Sequence, residues 1–421
     1  MINTKHRFIK EDFEIRKSEV SERRSKVETS AIRPQAPVLW HKAKDFYVFD
    51  KDGNKWIDMT AGIFVSNAGH SNPDINEAIK EQLDRDLSYA FLYDTEIRVE
   101  FMERLLEASP PHFDKTILLN SGTEATDVAY KLIKLWAKKN NKKYIVTFNG
   151  SYHGRALSCD LLCGNKESVS WSSISDDDVY FIDFPYESDT KFDPNLLPPA
   201  DQIAAFFLET YQGWGAWMYP TDYINDLYSF ARKSGALICF DEVQAGFYRM
   251  SSMYGYETYN ANFKPDLICL GKGISSSLPL AAVLGTEELI DVDDSVVLGS
   301  THSGNALCCA AAIANLRFLQ GREFQDELIE KSFIFENRSA ILLNHDSVTH
   351  VNTRGMVTGI IFKDTETANK VVDECLINGV LPVCTFKNAI KLGPPLTISI
   401  DAIKEAMGVI SNAIVKVENG V

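Results

Sequence analysis

Two acidic residues and one lysine stand at the ends of apolar segments, where a buried site could use them. Asp241 and Glu242 directly follow the apolar segment 236–240, and burial would protonate a carboxylate there unless a cation paired with it. Lys272 lies between two glycines after a second apolar segment, 267–270. A partly buried lysine amine can form a Schiff base with a carbonyl compound, whereas the alternative for Lys272 is a solvated turn. The pattern therefore indicates a carboxylate and a reactive amine beside a cationic ligand, such as a pyridinium ring.

A Ser-Gly-Thr run at residues 121–123 precedes a predicted helix. Backbone N–H groups at a helix N-terminus bind anions, and small residues let the anion approach them. Ser121 and Glu124 also have the spacing of a capping box, so a plain capped helix is the alternative. Farther along, Tyr152 and His153 follow an apolar strand. An aromatic ring at that position could stack on a planar ligand or simply pack.

These residues fall at the ends of predicted strands that alternate with helices. Apolar steps of three and four residues from Ala125 to Trp136 form one helical face. Such alternation builds a mostly parallel sheet covered by helices on both faces, with ligands at the carboxyl ends of the strands. The sequence therefore predicts an α/β fold with further helices at Tyr223–Lys233 and after Asn305. The predicted strands are Ile117–Leu119, Tyr144–Phe148, Ile203–Leu208, Ala236–Phe240, Leu267–Leu270 and Leu280–Leu284.

The two ends of the chain have different patterns. Residues 1–35 are rich in charge and predict a solvated arm or a short helix. A β-hairpin is predicted where Asp52-Gly53 separates two β-rich runs, Phe46–Phe49 and Lys55–Asp58. After residue 320 we expect a separate α+β unit, with strands at Gly355–Ile361 and Ala389–Leu392.

Composition narrows the class of protein. The 421 residues are 45% hydrophobic and 24% charged, which is ordinary for a soluble globular enzyme. The net charge of −15 disfavours a nucleic-acid partner, and the longest apolar run, Ala306–Ala314, is too short for a membrane span of about 20 residues. The eight cysteines show no metal-like spacing, and the charged N-terminus lacks a secretory pattern. We therefore expect no metal and a cytoplasmic protein with buried free thiols.

In this order along the chain, the motifs resemble those of the class III aminotransferases, which are pyridoxal-phosphate enzymes of fold type I. The most specific motif is Asp241-Glu242-Val243-Gln244 ahead of Lys272, and Thr301-His302-Ser303-Gly304-Asn305 supports it. The resemblance covers about residues 35 to 415, and the family includes ornithine and 4-aminobutyrate aminotransferases. It implies a large domain with a mostly parallel, seven-stranded sheet and a small α+β domain built from both chain ends. The expected divisions are an N-terminal arm with part of the small domain (1–70), the pyridoxal-phosphate-binding domain (71–318) and the C-terminal small domain (319–421).

The resemblance also implies a role for each cofactor-binding residue. Lys272 would carry pyridoxal 5'-phosphate as a Schiff base and later move a proton, and Asp241 would pair with the pyridine nitrogen. Tyr152 and Val243 would contact the two ring faces, and Gln244 would reach the ring hydroxyl. The other cofactor contacts would come from Ser121, Gly122, Thr123, His153, Glu209 and Thr301, with Gly122 and Thr123 at the phosphate. Thr301 would reach the phosphate of a neighbouring subunit, so a homodimer is expected.

Two positions depart from the family pattern and bear on the substrate. Many members that use glutamate and an ω-amino acid carry a second Glu where this sequence has Trp214, paired with an Arg where it has Lys391. Trp214 would give the pocket an apolar or stacking wall, unless it packs in the core or at an interface. Lys391 would attract a carboxylate as a point charge and not as a bidentate fork. We therefore expect both residues to contact substrate, and the paired change puts the family's switch between two substrates in doubt.

The main functional hypothesis is an aminotransferase in which glutamate or alanine passes its amine, through the cofactor, to an aldehyde or ketone. The alternative is a pyridoxal-phosphate-dependent racemase or aminomutase, because the same fold and cofactor residues serve those reactions. A regulatory protein that binds the cofactor without catalysis is disfavoured by Lys272. A nicotinamide enzyme is disfavoured because no G-x-G-x-x-G follows a strand at the appropriate place.

Overall fold

A computed structural model of the chain describes residues 1–15, 18–32, 36–90, 93–164, 169–172 and 174–420. These residues form two compact units. The first unit combines residues 1–72, the short segment Trp214–Ala216 and the chain after residue 320, so it contains both ends of the chain. The second unit consists of Pro73–Gly213 and Trp217–Gln320.

The strands of the described residues are short, and many of them are rich in the β-branched and aromatic residues that suit a pleated backbone. In chain order they are β1 (Ile2–Asn3), β2 (Phe8–Ile9), β3 (Lys42–Lys44), β4 (Tyr47–Phe49), β5 (Lys55–Asp58), β6 (Lys115–Leu119), β7 (Tyr144–Phe148), β8 (Val179–Ile182), β9 (Ile203–Glu209), β10 (Leu237–Asp241), β11 (Leu267–Leu270), β12 (Ala281–Gly285), β13 (Val348–Arg354), β14 (Val357–Phe362), β15 (Val380–Leu381), β16 (Val383–Cys384) and β17 (Ala389–Leu392).

Several helices begin at a polar side chain that accepts a hydrogen bond from the first turn, as Ser121, Asp364 and Ser399 do. The helices are α1 (Glu19–Ser25), α2 (Ala61–Phe64), α3 (Pro73–Leu83), α4 (Glu96–Glu107), α5 (Gly122–Lys139), α6 (Leu157–Leu161), α7 (Thr221–Ser234), α8 (Glu287–Ile290), α9 (Ala306–Leu319), α10 (Arg322–Ala340), α11 (Thr365–Ile377) and α12 (Ile400–Glu418). Among the described residues, no helix combines the length and the apolar composition that crossing a membrane requires.

A seven-stranded sheet in the second unit supports the predicted site. Its strand order is β6-β12-β11-β10-β9-β7-β8. The strands from β11 to β8 in this order run parallel, whereas β12 is antiparallel to both of its neighbours. Every residue of β9, β10, β11 and β12 is buried, as expected for strands covered on both faces. The predicted α/β class and the mostly parallel, seven-stranded sheet are confirmed.

Helix α5 packs its predicted apolar face against this sheet. Residues such as Leu132 and Ile133 share one hydrophobic cluster with residues of β9, β10, β11 and β12. Shortening a buried leucine to alanine costs about 2–5 kcal/mol, so this packing fixes the helix firmly. The helix begins where the capping box predicts, because Ser121 and Glu124 satisfy each other's backbone N–H groups. The N-terminus of α5 is therefore held at a defined place beside the sheet.

The first unit contains two smaller sheets. One is antiparallel, with the order β13-β14-β17-β16, and includes the two strands predicted after residue 320. The other has the order β1-β2-β5-β4-β3, with β15 beside β5. It contains the predicted hairpin as the antiparallel pair β4 and β5. The predicted small α+β domain built from both chain ends is confirmed.

The N-terminal arm differs in part from the expectation of a solvated segment. Helix α1 has no buried residue, as predicted for a short solvated helix. In contrast, β2 pairs with β5, where Phe8 lies opposite Lys55. Arg7 also forms an ion pair of 2.6 Å with Glu405 of α12. The charge-rich sequence concealed the packing of this segment because β5, which pairs with β2, and Glu405, which pairs with Arg7, lie farther along the chain.

Candidate active site

The carboxyl ends of the adjacent parallel strands β9, β10 and β11 bring the acidic and lysine motifs together. Glu209 lies opposite Asp241 in the pairing of β9 with β10, and Asp241 lies opposite Cys269 in the pairing of β10 with β11. Lys272 follows β11 in a short 3₁₀ turn. Because parallel strands end at the same edge of a sheet, motifs that are far apart in sequence become neighbours here.

A cavity of about 140 Å³ lies at this edge of the sheet. Its wall includes most of the predicted cofactor residues, namely Gly122, Thr123, Tyr152, His153, Glu209, Asp241, Val243, Gln244 and Lys272. It also includes three residues that the sequence analysis did not select, Gly154, Tyr211 and Ala245. Gly154 was recognisable from its place beside Tyr152 and His153. In contrast, the local sequence of Tyr211 and Ala245 is like that of ordinary core residues.

Lys272 is half-buried in the cavity wall. Burial lowers the pKa of its amine below the usual value, although the negative charges of Asp241 and Glu209 act in the opposite direction. Within the described part of the chain, no hydrogen bond or ion pair engages the amine. An amine with a lowered pKa is neutral more often than a solvated lysine. It is therefore a better nucleophile toward a carbonyl carbon.

Asp241 is held in one orientation by its neighbours. Its Oδ2 lies 2.8 Å from Nδ1 of His153, and its Oδ1 accepts a hydrogen bond of 3.0 Å from the backbone N–H of Val243. His153 is buried as well, and its ring meets the edge of the Phe207 ring with 4.8 Å between centres. Nε2 of His153 has no hydrogen-bond partner among the described residues. The arrangement presents a fixed, buried carboxylate, as the sequence predicts for a cationic ligand.

Glu209 is a second buried carboxyl group in the wall, with only 6% of its surface exposed. Its two oxygens accept hydrogen bonds of 2.9 Å from the backbone N–H groups of Tyr152 and Gly213. The pKa of Glu209 is raised to about 7, mainly because the carboxyl group is buried. His153 lowers this pKa in part, whereas the negative charge of Asp241 raises it. Glu209 therefore changes its charge near neutral pH.

The N-terminus of α5 forms the anion-binding side of the cavity. Gly122 and Thr123 line it, and the amides of a first helical turn have no acceptor within their own helix. A Cβ on Gly122 would lie 2.6 Å from a Val243 methyl carbon, so only glycine allows this approach. Gly154 packs as closely on Thr123, and its φ of 126° also favours glycine.

Glu242, the second acid of the Asp-Glu pair, faces away from the cavity, because successive residues at a strand end point to opposite faces. It is fully buried and accepts hydrogen bonds from the N–H groups of Gly255 (2.7 Å) and Tyr256 (2.8 Å), and from the Thr210 hydroxyl. Its role is to anchor the loop that follows Gln244. Adjacency in sequence did not distinguish these two roles.

Two predicted cofactor residues of the second unit lie outside the cavity wall. Ser121 is exposed and acts as the cap of α5, with its Oγ 3.2 Å from the backbone nitrogen of Glu124. Thr301 is exposed, and its carbonyl oxygen accepts a hydrogen bond of 3.2 Å from the Tyr89 hydroxyl. The preceding residue, Ser300, is bonded to Asn120 at 2.6 Å, which ties this loop to the start of α5.

The two predicted substrate residues, Trp214 and Lys391, both belong to the first unit. Lys391 is buried in β17, and its Nζ lies 4.6 Å from the centre of the Phe64 ring. It pairs with Gly359 of β14, where a Cβ would collide with the carbonyl oxygen of Gly215 at 1.9 Å. The backbone next to Trp214 is therefore packed against the strand pair that carries Lys391.

The cavity fits pyridoxal phosphate in the chemistry of its groups. The aldehyde of the cofactor requires an amine, which Lys272 presents in the cavity wall with its pKa lowered by burial. The pyridinium requires a fixed carboxylate, which Asp241 offers through its contacts with His153 and Val243. The phosphate requires clustered N–H donors, which the first turn of α5 offers. These groups converge on one cavity within the second unit.

Comparisons with known proteins point to one family. The family model described as "Aminotransferase class-III" matches residues 30–414. An acetylornithine aminotransferase from Methanothermobacter thermautotrophicus is 32% identical over 383 residues, which cover 90% of this chain and 94% of that protein. An isoleucine 2-epimerase from Lentilactobacillus buchneri is 28% identical, and the match covers 88% of each chain. A solved structure of ornithine aminotransferase from Toxoplasma gondii has the same fold, with a TM-score of 0.86, 23% identity and 96% of each chain covered.

Proposed function

Because this chain belongs to the class III aminotransferases and is a pyridoxal-phosphate-dependent enzyme, we propose that it passes the amine of glutamate or alanine to an aldehyde or ketone. The observation that carries the proposal is the half-buried amine of Lys272, which lies in the wall of one cavity together with two carboxyl groups. A transamination requires such an amine to bind the cofactor first and to move a proton afterwards. Asp241 and Glu209 are the two carboxyl groups in question.

The proposed mechanism assigns the proton-handling steps to three residues. When bound, pyridoxal phosphate supplies an electron sink for the substrate carbon. Asp241, oriented by His153, would keep the pyridine nitrogen protonated, since a fixed negative charge raises the pKa of a neighbouring cation. Nζ of Lys272 would hold the cofactor and would be the group that takes the proton from the substrate α-carbon and returns it.

The remaining cavity residues bind and orient the cofactor in this proposal. The amides of Gly122 and Thr123, at the start of α5, would hold the phosphate. Tyr152 and Val243 would contact the ring faces, and Gln244 would reach the ring hydroxyl. Ser121 contributes indirectly as the cap that orders the first turn of α5. Glu209 is also a cofactor-binding residue in this proposal, because it lies in the same cavity wall as Gln244 and Lys272.

The substrate preference of the proposal rests on Trp214 and Lys391. In this proposal Lys391, which is buried in β17, attracts one carboxylate as a point charge. The indole of Trp214 would give the substrate an apolar or stacking wall, and Nζ of Lys387 lies 4.6 Å from the centre of this ring. We expect substrates with one carboxylate and an apolar or ring-shaped remainder to bind best.

A homodimer is part of the same proposal, because one face of the second unit is incomplete. An open cavity of about 1270 Å³ there is lined by apolar residues such as Leu118 and Leu298. Within the described residues, the buried atoms Arg98 Nε and Thr116 Oγ1 on this face have no hydrogen-bond partner. Val297, beside Leu298, is 92% exposed. A second copy of the chain would cover this face and allow Thr301 to reach the partner's phosphate.

Two coarser assignments complete the proposal. We take the second unit as the pyridoxal-phosphate-binding domain and the first unit as the small domain, close to the divisions predicted at residues 70 and 318. We also propose a cytoplasmic location. Its support is that all eight cysteines are free thiols, seven of them buried, as expected in a reducing compartment.

The proposal is tested by the visible absorption of the purified protein during addition of single donors: glutamate, alanine, lysine, ornithine and 4-aminobutyrate. We expect a yellow protein that glutamate or alanine bleaches, with the corresponding keto acid released. A keto acid assay run on the same samples separates transamination from simple loss of the cofactor. A protein that pyridoxal phosphate cannot turn yellow would contradict the role of Lys272.

The alternative of a racemase or aminomutase has one supporting observation, the similarity to an isoleucine 2-epimerase. It predicts a yellow protein that no donor bleaches. It also predicts solvent deuterium at the α-carbon of a recovered amino acid that has lost its chirality. Bleaching with stoichiometric keto acid, and no inverted amino acid, would exclude this alternative.

A further inference from the structure

Asn315 is a buried polar side chain that the proposed function does not use. It lies in helix α9, which is apolar except for Asn315 and Arg317, and of these two only Asn315 is buried. None of its surface is exposed. Burying an amide without hydrogen-bond partners is costly, so its partners indicate what the side chain does in this apolar helix.

Among the described residues, the hydrogen bonds of the Asn315 side chain are all to the segment directly after Lys272. Its Nδ2 donates to the carbonyl oxygens of Gly273, at 2.9 Å, and of Ile274, at 3.0 Å. Its Oδ1 accepts a hydrogen bond of 2.7 Å from the hydroxyl of Ser276. Because backbone carbonyl oxygens only accept, the N–H₂ end of the amide is the end that faces them. Both ends of the amide are therefore engaged by this segment.

The segment that Asn315 contacts is short and strained. It begins with the 3₁₀ turn Lys272–Ile274, whose last carbonyl groups have no partner within so short a helix. Lys272 has a φ of 42° and Ser276 has a φ of 53°, both in the left-handed region that is unfavourable for residues other than glycine. A backbone of this kind persists only where surrounding contacts hold it. The three hydrogen bonds with Asn315 supply such contacts.

We propose that Asn315 is a positioning residue, whose side chain fixes the turn after β11 and so holds the amine of Lys272 where the aldehyde of pyridoxal phosphate would meet it. The inference rests on the proposed role of Lys272. Asn315 is not part of the cavity wall, so it acts on the backbone that carries the lysine and not on the cofactor. Its loss should therefore impair the bond between amine and aldehyde more than the binding of the rest of the cofactor.

Two related compounds separate these effects. Pyridoxal 5'-phosphate has an aldehyde, and its carbon can form a C=N bond with the lysine amine while the aldehyde oxygen leaves as water. Pyridoxine 5'-phosphate has an alcohol at that place, so it keeps the ring and the phosphate but cannot form this bond. The readouts are the affinity of the cofactor-free protein for each compound and the rate at which the visible band appears with pyridoxal 5'-phosphate.

The test variant is Asn315→Leu, which keeps a side chain of similar length and removes the amide. Asn54→Leu is the matched control. Asn54 is also a buried asparagine with both ends of its amide engaged, by the backbone N–H of Lys10 and by Asp50, but it lies at the β4–β5 hairpin of the first unit. Asn315→Ser, which shortens the side chain and leaves one hydroxyl, is a second variant with less risk to folding. Urea unfolding establishes that each variant is folded.

We expect Asn315→Leu to weaken the affinity for pyridoxal 5'-phosphate and to slow the appearance of the visible band, each about tenfold, because reactions depend steeply on fixed geometry. Asn315→Ser should show a smaller loss of the same kind. Both variants should bind pyridoxine 5'-phosphate as the wild type does, and Asn54→Leu should leave every readout unchanged.

Equal losses for the two compounds in a folded Asn315 variant would show a general structural role and overturn the positioning role alone. Wild-type values for pyridoxal 5'-phosphate in that variant would overturn it as well. A wild-type protein that binds both compounds equally and develops no visible band would remove Lys272 from the reaction, and would overturn the proposed function together with this inference.

Discussion

At the scale of single residues, Lys272 combines a strained backbone with an amine whose pKa is lowered by burial. Its φ of 42° is in the left-handed region, which costs a residue other than glycine about 1–3 kcal/mol. The two flanking glycines accommodate this turn, which follows directly from β11. Strain of this kind persists where the surrounding structure holds it, and here it directs the side chain into the cavity wall.

Replacing Lys272 with Ala should abolish the visible absorption of the purified protein and slow the reaction with its best donor by about 10²-fold to 10⁴-fold. The reason is that Lys272 is the only lysine of the described residues that lines the cavity. Borohydride reduction of the wild type, followed by peptide mass spectrometry, should find the cofactor on Lys272. Lys134→Ala, on the surface of α5, is the control and should keep both properties. A yellow, active Lys272→Ala protein would contradict the assignment.

The buried carboxyl group of Glu242 should make the stability of the protein depend on pH. Burial raises its pKa to about 7, although hydrogen bonds from the Thr210 hydroxyl and from the amides of Gly255 and Tyr256 oppose the shift. A carboxyl group with a raised pKa keeps its proton in the folded state after the unfolded chain has lost it. Its contribution to stability is therefore complete below pH about 4.5 and is lost as the pH rises to about 7.

The free energy of unfolding of the cofactor-free protein should thus fall across this window, by at most about 1.4 kcal/mol per pH unit for this one group. Urea unfolding at several pH values, compared between wild type and Glu242→Gln, isolates the contribution. Gln cannot titrate, so the free energy of unfolding of the wild type minus that of Glu242→Gln should fall as the pH rises from 5 to 7. A constant gap would show that Glu242 has the same pKa folded and unfolded.

At the scale of elements, the start of α5 links stability to the anion site. Ser121 caps an 18-residue helix that buries one face against the sheet. The same capping box occurs at α1, where Ser18 caps a helix without buried residues. A cap stabilises the whole protein only when its helix is packed into the core, because an unpacked helix can fray without unfolding the rest.

Ser121→Ala should therefore lower the free energy of unfolding by about 1 kcal/mol, and Ser18→Ala should leave it unchanged. Ser121→Ala should also weaken the affinity for pyridoxal phosphate, because the first-turn amides lose their fixed geometry. Urea unfolding and cofactor titration measure the two effects. Equal losses from both substitutions would contradict the link between the cap and the packed helix.

At the scale of the whole molecule, the incomplete face of the second unit predicts a homodimer. We expect sedimentation velocity to give twice the mass of one chain. Val99→Asp combined with Val297→Asp places charges beside the open cavity on this face and should weaken dimerisation about tenfold or more. Leu196→Asp, at an exposed position away from that cavity, is the control. A wild-type monomer at micromolar concentration would contradict the homodimer and the role of Thr301.

Some strands and strand pairings of the whole molecule could be predicted from the sequence, and others could not. The strands of the central sheet were recognisable because their apolar runs are continuous and buried on both faces, as β9, β10 and β11 are. The antiparallel direction of β12 was not, since an apolar run has no direction. The pairing of β2 with β5 was also missed, because hydrogen bonds between distant segments leave no local periodicity.

The sequence by itself determined the family, the cofactor and the fold class, because those depend on residue types at ordered strand ends: Asp241, Lys272 and the Ser-Gly-Thr run at α5. Only the tertiary structure decided which side chains share one cavity. It places Asp241 and Tyr211 in the cavity wall, whereas Glu242 and Ser121 lie outside that wall. The physical reason is that orientation at a strand end and contact across a sheet arise from pairing register and packing, which neighbouring residues in the sequence do not encode.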